Sequence, residues 1–308
     1  MATQTKKAFP ASAFPARKMD AAASAFKGVV GFYVKDLATG AAHEYGADRP
    51  IPTASICKVT VMLELFQQAQ EGKLSLGDRY PLFKDISKFS GGTMGQMTGQ
   101  PVLSLRDYCR IMIAQSDNMA TDQLAKVVGL DNVNANLRSL GLRNTAMPML
   151  MGEMHYRYAG LSGEPSDEKD RTLTEFITKT PPGPEHVNYT EDLTNNVTSA
   201  RDMGTIMERI YYGQMVSPKA SWEMLEMLKM CDQRTKIPGR LKADVVVAHK
   251  IGGSNRIQGD VGIALLPSGP MVICMLTRHN DYRGGNGVQT IAELSRMAVE
   301  AFSPESVN

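Results

Sequence analysis

The sequence predicts an α/β (α+β) fold in which an antiparallel sheet is flanked by helices. Apolar residues recur at helical spacing in the middle of the chain, as in helices that pack on a core. Towards the C-terminal end, runs rich in β-branched residues alternate with turn residues such as Pro267 and Gly269, a pattern typical of antiparallel hairpins. The expected helices cover 58–66, 105–115 and 119–128, and the expected strands cover 244–250, 260–266 and 270–277.

Composition agrees with a globular enzyme and argues against several other classes. The 308 residues are 43% hydrophobic, enough for a sizeable core in one or two domains. The net charge of +2 gives no reason to expect a nucleic acid or an anionic membrane as a partner. We expect no membrane span, because no run of about 18 apolar residues occurs.

The N-terminal segment leaves the compartment open. We expect residues 1–15 to be flexible and the first helix to begin near Ala16. The stretch from Met1 to Phe14 lacks the apolar core of about 7–15 residues that a secretory signal peptide carries. The protein is therefore expected to be periplasmic or secreted if a signal has been removed, and cytoplasmic if the sequence is complete as written.

The first chemical motif is Ser-Ile-Cys-Lys at Ser55–Lys58. A serine hydroxyl is a weak nucleophile at neutral pH and needs a base within hydrogen-bonding distance. Residues three apart share a face of a helix, so Ser55 and Lys58 can point into one pocket. Pro52 and Thr53 favour a helix start there, and exposed N–H groups at a helix start stabilise negative charge. A buried lysine near other cations can lose its proton and act as the base.

The second motif, Ser116-Asp117-Asn118, separates two predicted helices. The first of these helices is expected to be capped by Ser104. A short polar break between two buried helices can present Ser116 and Asn118 to a cleft, where Ser116 can relay a proton and Asn118 can hold a substrate amide. Taken alone, the tripeptide is more typical of a cap or turn.

The third motif, Lys250-Ile251-Gly252, lies at the end of a predicted strand. Gly252 and Gly253 allow a substrate backbone to approach closely. The N–H groups of Gly253 and Ser55 are expected to form an oxyanion hole. Each motif alone is weak, since Ser-x-x-Lys occurs by chance about once in a chain of this length. Their order and contexts together favour a serine hydrolase.

With these three motifs in this order, the chain resembles the class A β-lactamase and penicillin-binding family of serine hydrolases. The resemblance implies Ser55 as the nucleophile, Lys58 as its base and Ser116 as the proton shuttle. It implies Lys250 as the electrostatic partner of the substrate. The favoured activity is hydrolysis of a β-lactam amide through an acyl-Ser55 intermediate. The alternatives are a D,D-peptidase, transpeptidase or esterase on the same fold, and a non-catalytic sensor of β-lactams or muropeptides.

The resemblance also implies a division into domains. A sheet domain is expected from both chain ends, 16–50 and 205–308, with a helical domain at 51–204 inserted between them. The polar stretch from Gly160 to Asn196 is expected to belong to a long Ω-like loop of the helical domain. We expect a small-molecule substrate (a β-lactam, a peptide or an ester), no cofactor and a monomer.

Ile251 departs from the family pattern, which usually has Thr or Ser at this position to bind the substrate carboxylate. A branched hydrocarbon side chain cannot form that hydrogen bond. Ser254, Asn255 and Arg256 are the candidates for its replacement, and the sequence does not decide between them.

The base for deacylation is the second departure. A β-lactamase needs a base, usually a glutamate on the Ω-loop, to activate the hydrolytic water. The family's Glu-x-x-Leu-Asn pattern is absent between Ser116 and Thr198. Glu153, Glu185 and Glu191 lie nearest to the expected distances, although exposed glutamates are the norm. Without such a base the acyl-enzyme would persist, as in a penicillin-binding protein.

Cysteines and histidines suggest no further chemistry. The four cysteines contain no Cys-x-x-Cys pair, and Cys57 is expected to pack as a small hydrophobe rather than to act as the nucleophile. The five histidines lack the spaced pairs of a zinc site, so we expect no metal. On a regular strand His249 faces away from Lys250, which favours a structural role. Methionines cluster from Met147 to Met154 and are expected to line an apolar wall near the Ω-like loop.

Overall fold

The computed structural model describes residues 14–89, 92–179, 182–279 and 285–308. The helices are α1 (Ala16–Ala25), α2 (Lys58–Gln70), α3 (Gly92–Gly95), α4 (Leu105–Ala114), α5 (Asn118–Val128), α6 (Leu130–Ser139), α7 (Met151–Tyr158), α8 (Asp167–Lys179), α9 (Ala200–Tyr211), α10 (Pro218–Leu228) and α11 (Gly285–Glu300). The strands are β1 (Val29–Asp36), β2 (Ala42–Tyr45), β3 (Ile51–Pro52), β4 (Arg79–Pro81), β5 (Val102–Ser104), β6 (Val197–Thr198), β7 (Val246–Ser254), β8 (Ile257–Leu266) and β9 (Gly269–Arg278). Short 3-10 turns span Ala54–Cys57, Val187–Tyr189, Ile237–Arg240 and Pro304–Ser306.

The main sheet has five strands in the order β2-β1-β9-β8-β7, and every neighbouring pair is antiparallel. Strand β1 lies directly beside β9, with Val29 opposite Arg278. The predicted mixed fold with an antiparallel sheet and flanking helices is confirmed. The boundaries of the two domains and the monomeric state stay predictions.

Both faces of the central strands are buried, which explains their nearly continuous apolar sequence. On β9, Val272 and Cys274 belong to the core shared with the helical part of the chain. Their neighbours Met271 and Ile273 point to the other side, into a core that includes residues of α1 and α11. This alternation follows from the two-residue period of a strand. The strand order leaves β7 at one edge of the sheet, where α10 packs against it.

Side-chain caps fix the two helices on either side of the second motif. Ser104 Oγ accepts the N–H of Asp107 at 3.1 Å at the start of α4, as predicted. Asp117 caps α5 by accepting the N–H of Ala120 at 2.9 Å. Its other carboxylate oxygen accepts the N–H of Met94 at 2.8 Å. The position of Ser116 between α4 and α5 is therefore set by a buried carboxylate.

The stretch expected to be an Ω-like loop contains the thirteen-residue helix α8. Acidic residues Asp167, Glu168 and Asp170 occupy its first turn and Lys179 its last, which suits the helix dipole. Leu173 is fully buried in an aromatic cluster, and Ile177 packs against the same cluster. Asp170 also accepts hydrogen bonds from Ser87 Oγ and Tyr156 Oη, so these contacts together hold the helix on the protein. The expectation of a long loop was wrong because the polar composition of this stretch hides an amphipathic helix.

Residues 1–13 of the segment expected to be flexible lie outside the described residues. Phe14 is buried, with its ring centroid 4.7 Å from that of Phe302, and α1 begins at Ala16 as expected. Phe14 is therefore packed on the C-terminal end of the chain rather than loose. Within the described ranges, no helix combines the length and apolar character that a membrane span requires.

Candidate active site

Ser55 lies in the 3-10 turn Ala54–Cys57, immediately before α2. The backbone φ angle is 44° at Ala54 and 56° at Ser116, values that non-glycine residues adopt only in the small left-handed region. Residues held in such conformations cluster at functional sites, where the surrounding structure supports the strain. Ala54 immediately precedes the first motif, and Ser116 begins the second.

A hydrogen-bond network joins the three motifs. Lys58 Nζ donates to Asn118 Oδ1 at 2.7 Å, to Ser116 Oγ at 3.2 Å and to the backbone oxygen of Ser116. Lys250 Nζ donates to the same Ser116 hydroxyl oxygen at 2.9 Å and to the carbonyl of Ile251 at 3.0 Å. The Ser116 hydroxyl therefore lies between two ammonium groups.

Both lysines are fully buried, and burial makes their charged forms costly. Burial and the positive charge of Lys250 lower the pKa of Lys58 to about 7. Burial lowers the pKa of Lys250 to about 8, although Cys231 and Asp260 favour its charged form. At neutral pH Lys58 is the better proton acceptor of the two, and Lys250 retains more of its charge.

Strand β7 packs directly on the Ser55 turn. A Cβ at Gly252 would lie 2.4 Å from the carbonyl oxygen of Thr53 and 3.0 Å from Ile56 Cγ1. Only glycine fits at this approach, because real Cβ atoms do not come so close to backbone. The third motif thus supplies both Lys250 and the glycine that brings its strand against the turn that contains Ser55.

A second layer of buried charge lies behind β7. His249 Nδ1 contacts both carboxylate oxygens of Asp260, at 2.8 and 3.1 Å. Burial disfavours the imidazolium, but the Asp260 carboxylate outweighs this effect and raises the pKa of His249 to about 10. Lys236, also buried, donates to the carbonyls of Gly252 at 2.5 Å and Gly259 at 3.1 Å. These contacts fix the strand end that faces Ser55.

Helix α7 forms the opposite wall of the site. The buried carboxylate of Asp122, on α5, accepts the N–H groups of Met151 at 2.7 Å and Gly152 at 2.9 Å. Burial raises the pKa of Asp122 to about 6, although these N–H donors stabilise its charge. The first turn of α7 is thereby attached to the helix that begins with Asn118.

A cavity of about 130 Å³ opens beside Ser55 between these walls. One face of α7 lines it, with residues at the i, i+3, i+4 and i+7 positions of a helix. Amide side chains, two serines and apolar groups make up the rest, and no carboxylate lines the cavity within the described residues. The lining residues are Pro52, Ala54, Ser55, Asn118, Met151, Met154, His155, Tyr158, Asn188, Asn195, Asn196, Gly253, Ser254 and Ile257.

The three candidate bases for deacylation lie outside this cavity. Glu153 Oε2 accepts the N–H of Leu150 at 2.9 Å at the start of α7. Glu191 forms ion pairs with Arg49 at 2.7 Å and Arg278 at 2.9 Å. Glu185 is exposed. In this structure none of the three reaches the cavity beside Ser55.

Three further expectations from the sequence concern the replacement for the hydroxyl at Ile251, the role of Cys57 and a metal site. Of the candidates to replace the usual hydroxyl at Ile251, Ser254 lines the cavity. Cys57 is 1% exposed, and burial raises the pKa of its thiol to about 11, which leaves no thiolate for catalysis. No group of three or more His, Cys, Asp or Glu side chains in the described ranges is arranged to hold a metal ion.

Sequence reasoning missed His155 and Tyr158. Both lie in the cavity wall, on the same helical face as Met151 and Met154. The spacing of these four residues is a signal that was available, because it marks one stripe of a helix. Lys236 was also missed, and no local pattern distinguishes this buried lysine from an exposed one.

Comparison with known proteins agrees with this architecture. The sequence model described as "Beta-lactamase enzyme family" matches residues 15–302. No curated protein sequence matches the chain.

Among solved structures, the chain is similar to PBP-A, in an acyl-enzyme complex of a variant with penicillin G (24% identity, 93% of this chain and 95% of that chain covered, TM-score 0.76). It is similar to the β-lactamase of Sphaerobacter thermophilus DSM 20745 (24% identity, 93% of this chain and 96% of that chain covered, TM-score 0.75). It is also similar to an ancestral class A β-lactamase (21% identity, 93% of this chain and 99% of that chain covered, TM-score 0.74). These likenesses establish the shared fold. Since the family match spans nearly the whole described chain, the protein belongs to the β-lactamase enzyme family.

Proposed function

We propose that this protein is a serine hydrolase that opens a β-lactam amide through an acyl-Ser55 intermediate. The observation that carries the proposal is the network in which Lys58 and Lys250 both donate to the Ser116 hydroxyl, together with the cavity that Ser55 and Asn118 line. Neutral Lys58 accepts the Ser55 proton as Oγ attacks the lactam carbonyl carbon. The N–H groups of Ser55 and Gly253 stabilise the oxyanion.

Collapse of this intermediate breaks the lactam C–N bond. The proton held by Lys58 passes through the Ser116 hydroxyl to the leaving nitrogen. Lys250, still charged, attracts the carboxylate that β-lactams carry beside that nitrogen. Asn118 holds the amide of the acyl side chain, and Gly252 keeps β7 close enough for these contacts.

A second candidate is a D,D-peptidase or esterase that β-lactams acylate but that deacylates slowly. Two observations favour it: no carboxylate lines the cavity within the described residues, and Ile251 supplies no hydroxyl. The similar PBP-A structure contains an acyl-enzyme formed with penicillin G. Both candidates share the same acylation step and differ in how fast water then releases the acyl group from Ser55.

The test is to mix the protein with a chromogenic cephalosporin and to follow colour and intact protein mass together. Continued colour without a lasting adduct supports a β-lactamase. A single equivalent of colour with a lasting mass increase on the Ser55 peptide supports the second candidate.

Two variants control this experiment. Ser55→Ala should lose both signals, whereas Ser139→Ala, an exposed serine on α6, should keep them. Unchanged signals in Ser55→Ala would refute the assigned nucleophile. If the wild type gives no colour and no adduct, this β-lactam is excluded as a substrate. The non-catalytic sensor then remains as an alternative.

A further inference from the structure

We propose that His155 is the general base that activates water for hydrolysis of acyl-Ser55, a role that rests on the proposed function. The imidazole lines the same cavity as Ser55 and Asn118. A cavity of about 130 Å³ holds several waters, since one water takes about 30 Å³ of liquid. A hydrolytic water can therefore lie between the ester carbon on Ser55 and the imidazole.

The His155 imidazole packs against an aromatic ring, and its buried nitrogen forms no hydrogen bond with the described residues. Its centroid lies 5.1 Å from that of Phe89, and the two rings meet edge to face at 64°. Nδ1 is buried and has no hydrogen-bond partner in the part of the chain that the structure describes. Because the residue is partly exposed, Nε2 is the nitrogen that a water in the cavity can approach. Proton acceptance at Nε2 requires the tautomer that carries its proton on Nδ1, and leaving this buried N–H without an acceptor costs about 1–3 kcal/mol.

The charges around the ring keep it neutral at physiological pH. Burial and the positive charge of Lys58 lower the pKa of His155 to about 4, against the smaller opposite effect of Asp170. Asp170 is itself held by Ser87 Oγ at 2.6 Å and Tyr156 Oη at 2.8 Å. An imidazole with this pKa is about as basic as a free glutamate, whose pKa is about 4.3. His155 therefore offers the proton affinity of the carboxylate that this cavity lacks.

The proposed step is balanced within the site. The water oxygen attacks the acyl carbon while its proton moves to Nε2 of His155, and the oxyanion is stabilised by the N–H groups of Ser55 and Gly253. When the tetrahedral intermediate collapses, the bond from carbon to Ser55 Oγ breaks and Oγ takes up the proton. The products are the free carboxylic acid and the restored Ser55 hydroxyl.

The test separates acylation from deacylation with His155→Gln. We expect acylation by a chromogenic cephalosporin within about threefold of wild type, and deacylation slower by about 10²–10⁴-fold, the usual contribution of a general base. Intact mass should then show a persistent adduct. Imidazole added to His155→Ala should restore part of the deacylation rate. Below neutrality, wild-type deacylation should fall as the pH approaches about 4, and this limb should be absent in His155→Gln.

His43→Gln, which alters a histidine paired with Asp20 on α1, is the matched control and should deacylate as the wild type does. Deacylation of His155→Gln at the wild-type rate would overturn the inference. An acyl adduct that persists as long on the wild type as on His155→Gln would overturn it too. The acylation rate serves as the check on folding of each variant. Failure of the wild type to acylate at Ser55 would instead refute the proposed function, so the two failures are distinguishable.

Discussion

Replacement of Lys58 by methionine tests the feature on which the chemistry depends, the neutral buried lysine. Methionine has a similar length and no charge, so it can occupy the same space within α2. The pKa of Lys58 is lowered from 10.5 to about 7. Between these values the unfolded chain binds a proton that the folded protein does not. The free energy of unfolding of the wild type must therefore rise with pH across this window.

The size of the effect follows from the two pKa values. A full proton difference changes stability by about 1.4 kcal/mol per pH unit, so the rise from about pH 7 to about pH 9.5 amounts to about 3 kcal/mol. Lys58→Met lacks this contribution. The stability of the variant relative to wild type should thus fall by about 3 kcal/mol over that interval. The variant also lacks the hydrogen bonds to Ser116 and Asn118. Their loss changes the stability difference between the two proteins by the same amount at every pH, so it does not alter how that difference varies with pH.

Urea unfolding of both proteins at the two pH values measures this change. Lys73→Met is the control, because the Lys73 side chain is 65% exposed. A stability difference that does not vary with pH would show that Lys58 keeps its ordinary pKa, and would remove the reason for assigning it as the base. In the same samples, acylation by Lys58→Met should be slower by about 10²–10⁴-fold.

Three further results are expected. Acylation rates measured by stopped flow should follow a bell-shaped pH profile with limbs near about 7 and 8, since Lys58 must be neutral and Lys250 charged; Lys250→Arg should lose the alkaline limb. Asp260→Asn should lose about 3–5 kcal/mol of stability in urea near neutral pH. The His249 pair contributes fully below its unfolded pKa of 6.5 and is lost as pH rises through about 10, so this deficit should shrink with pH. Gly252→Ala should slow acylation by about tenfold or more, because about 1 Å of misplacement suffices for such effects. The clash of the new Cβ with the Thr53 carbonyl should also lower stability by about 1–3 kcal/mol.

Control variants at exposed or open positions accompany these measurements. Asp131→Asn, on an exposed position of α6, should be neutral at every pH. Gly183→Ala should change nothing, since a Cβ there meets no atom within 4 Å. A flat pH profile for acylation, a deficit in Asp260→Asn that grows with pH, or full acylation by Gly252→Ala would each contradict the corresponding argument.

Local patterns predicted the helix boundaries and the close strand approach in the candidate site, whereas the contacts of Lys58 and Lys250 with Ser116 join segments far apart in the chain. Ser55 and Lys58 are three residues apart, so their shared face needs no tertiary information. The cap at Ser104 and the polar break at Ser116 follow from backbone requirements at helix ends. Glycine after Lys250 likewise signalled a close approach, and the structure shows Gly252 against Thr53.

Other parts of the site depend on contacts between distant segments. Asp122 lies on α5 and becomes significant only because α7 places the N–H groups of Met151 and Gly152 against it. Lys236 is buried only because the carbonyls of β7 and β8 accept its protons. The polar helix α8 escaped prediction because one buried leucine is too little apolar periodicity to identify.

The pairing of β1 with β9 has a consequence for biosynthesis. Val29 meets Arg278 only after about 250 further residues have been made, which takes about 10–50 s at roughly 5–20 residues per second. During this interval an apolar strand edge emerges from the ribosome without its final neighbour, and such edges promote aggregation. Lys250 belongs to the same late portion of the chain. Synthesis of the final strands completes the sheet and the proposed catalytic centre together.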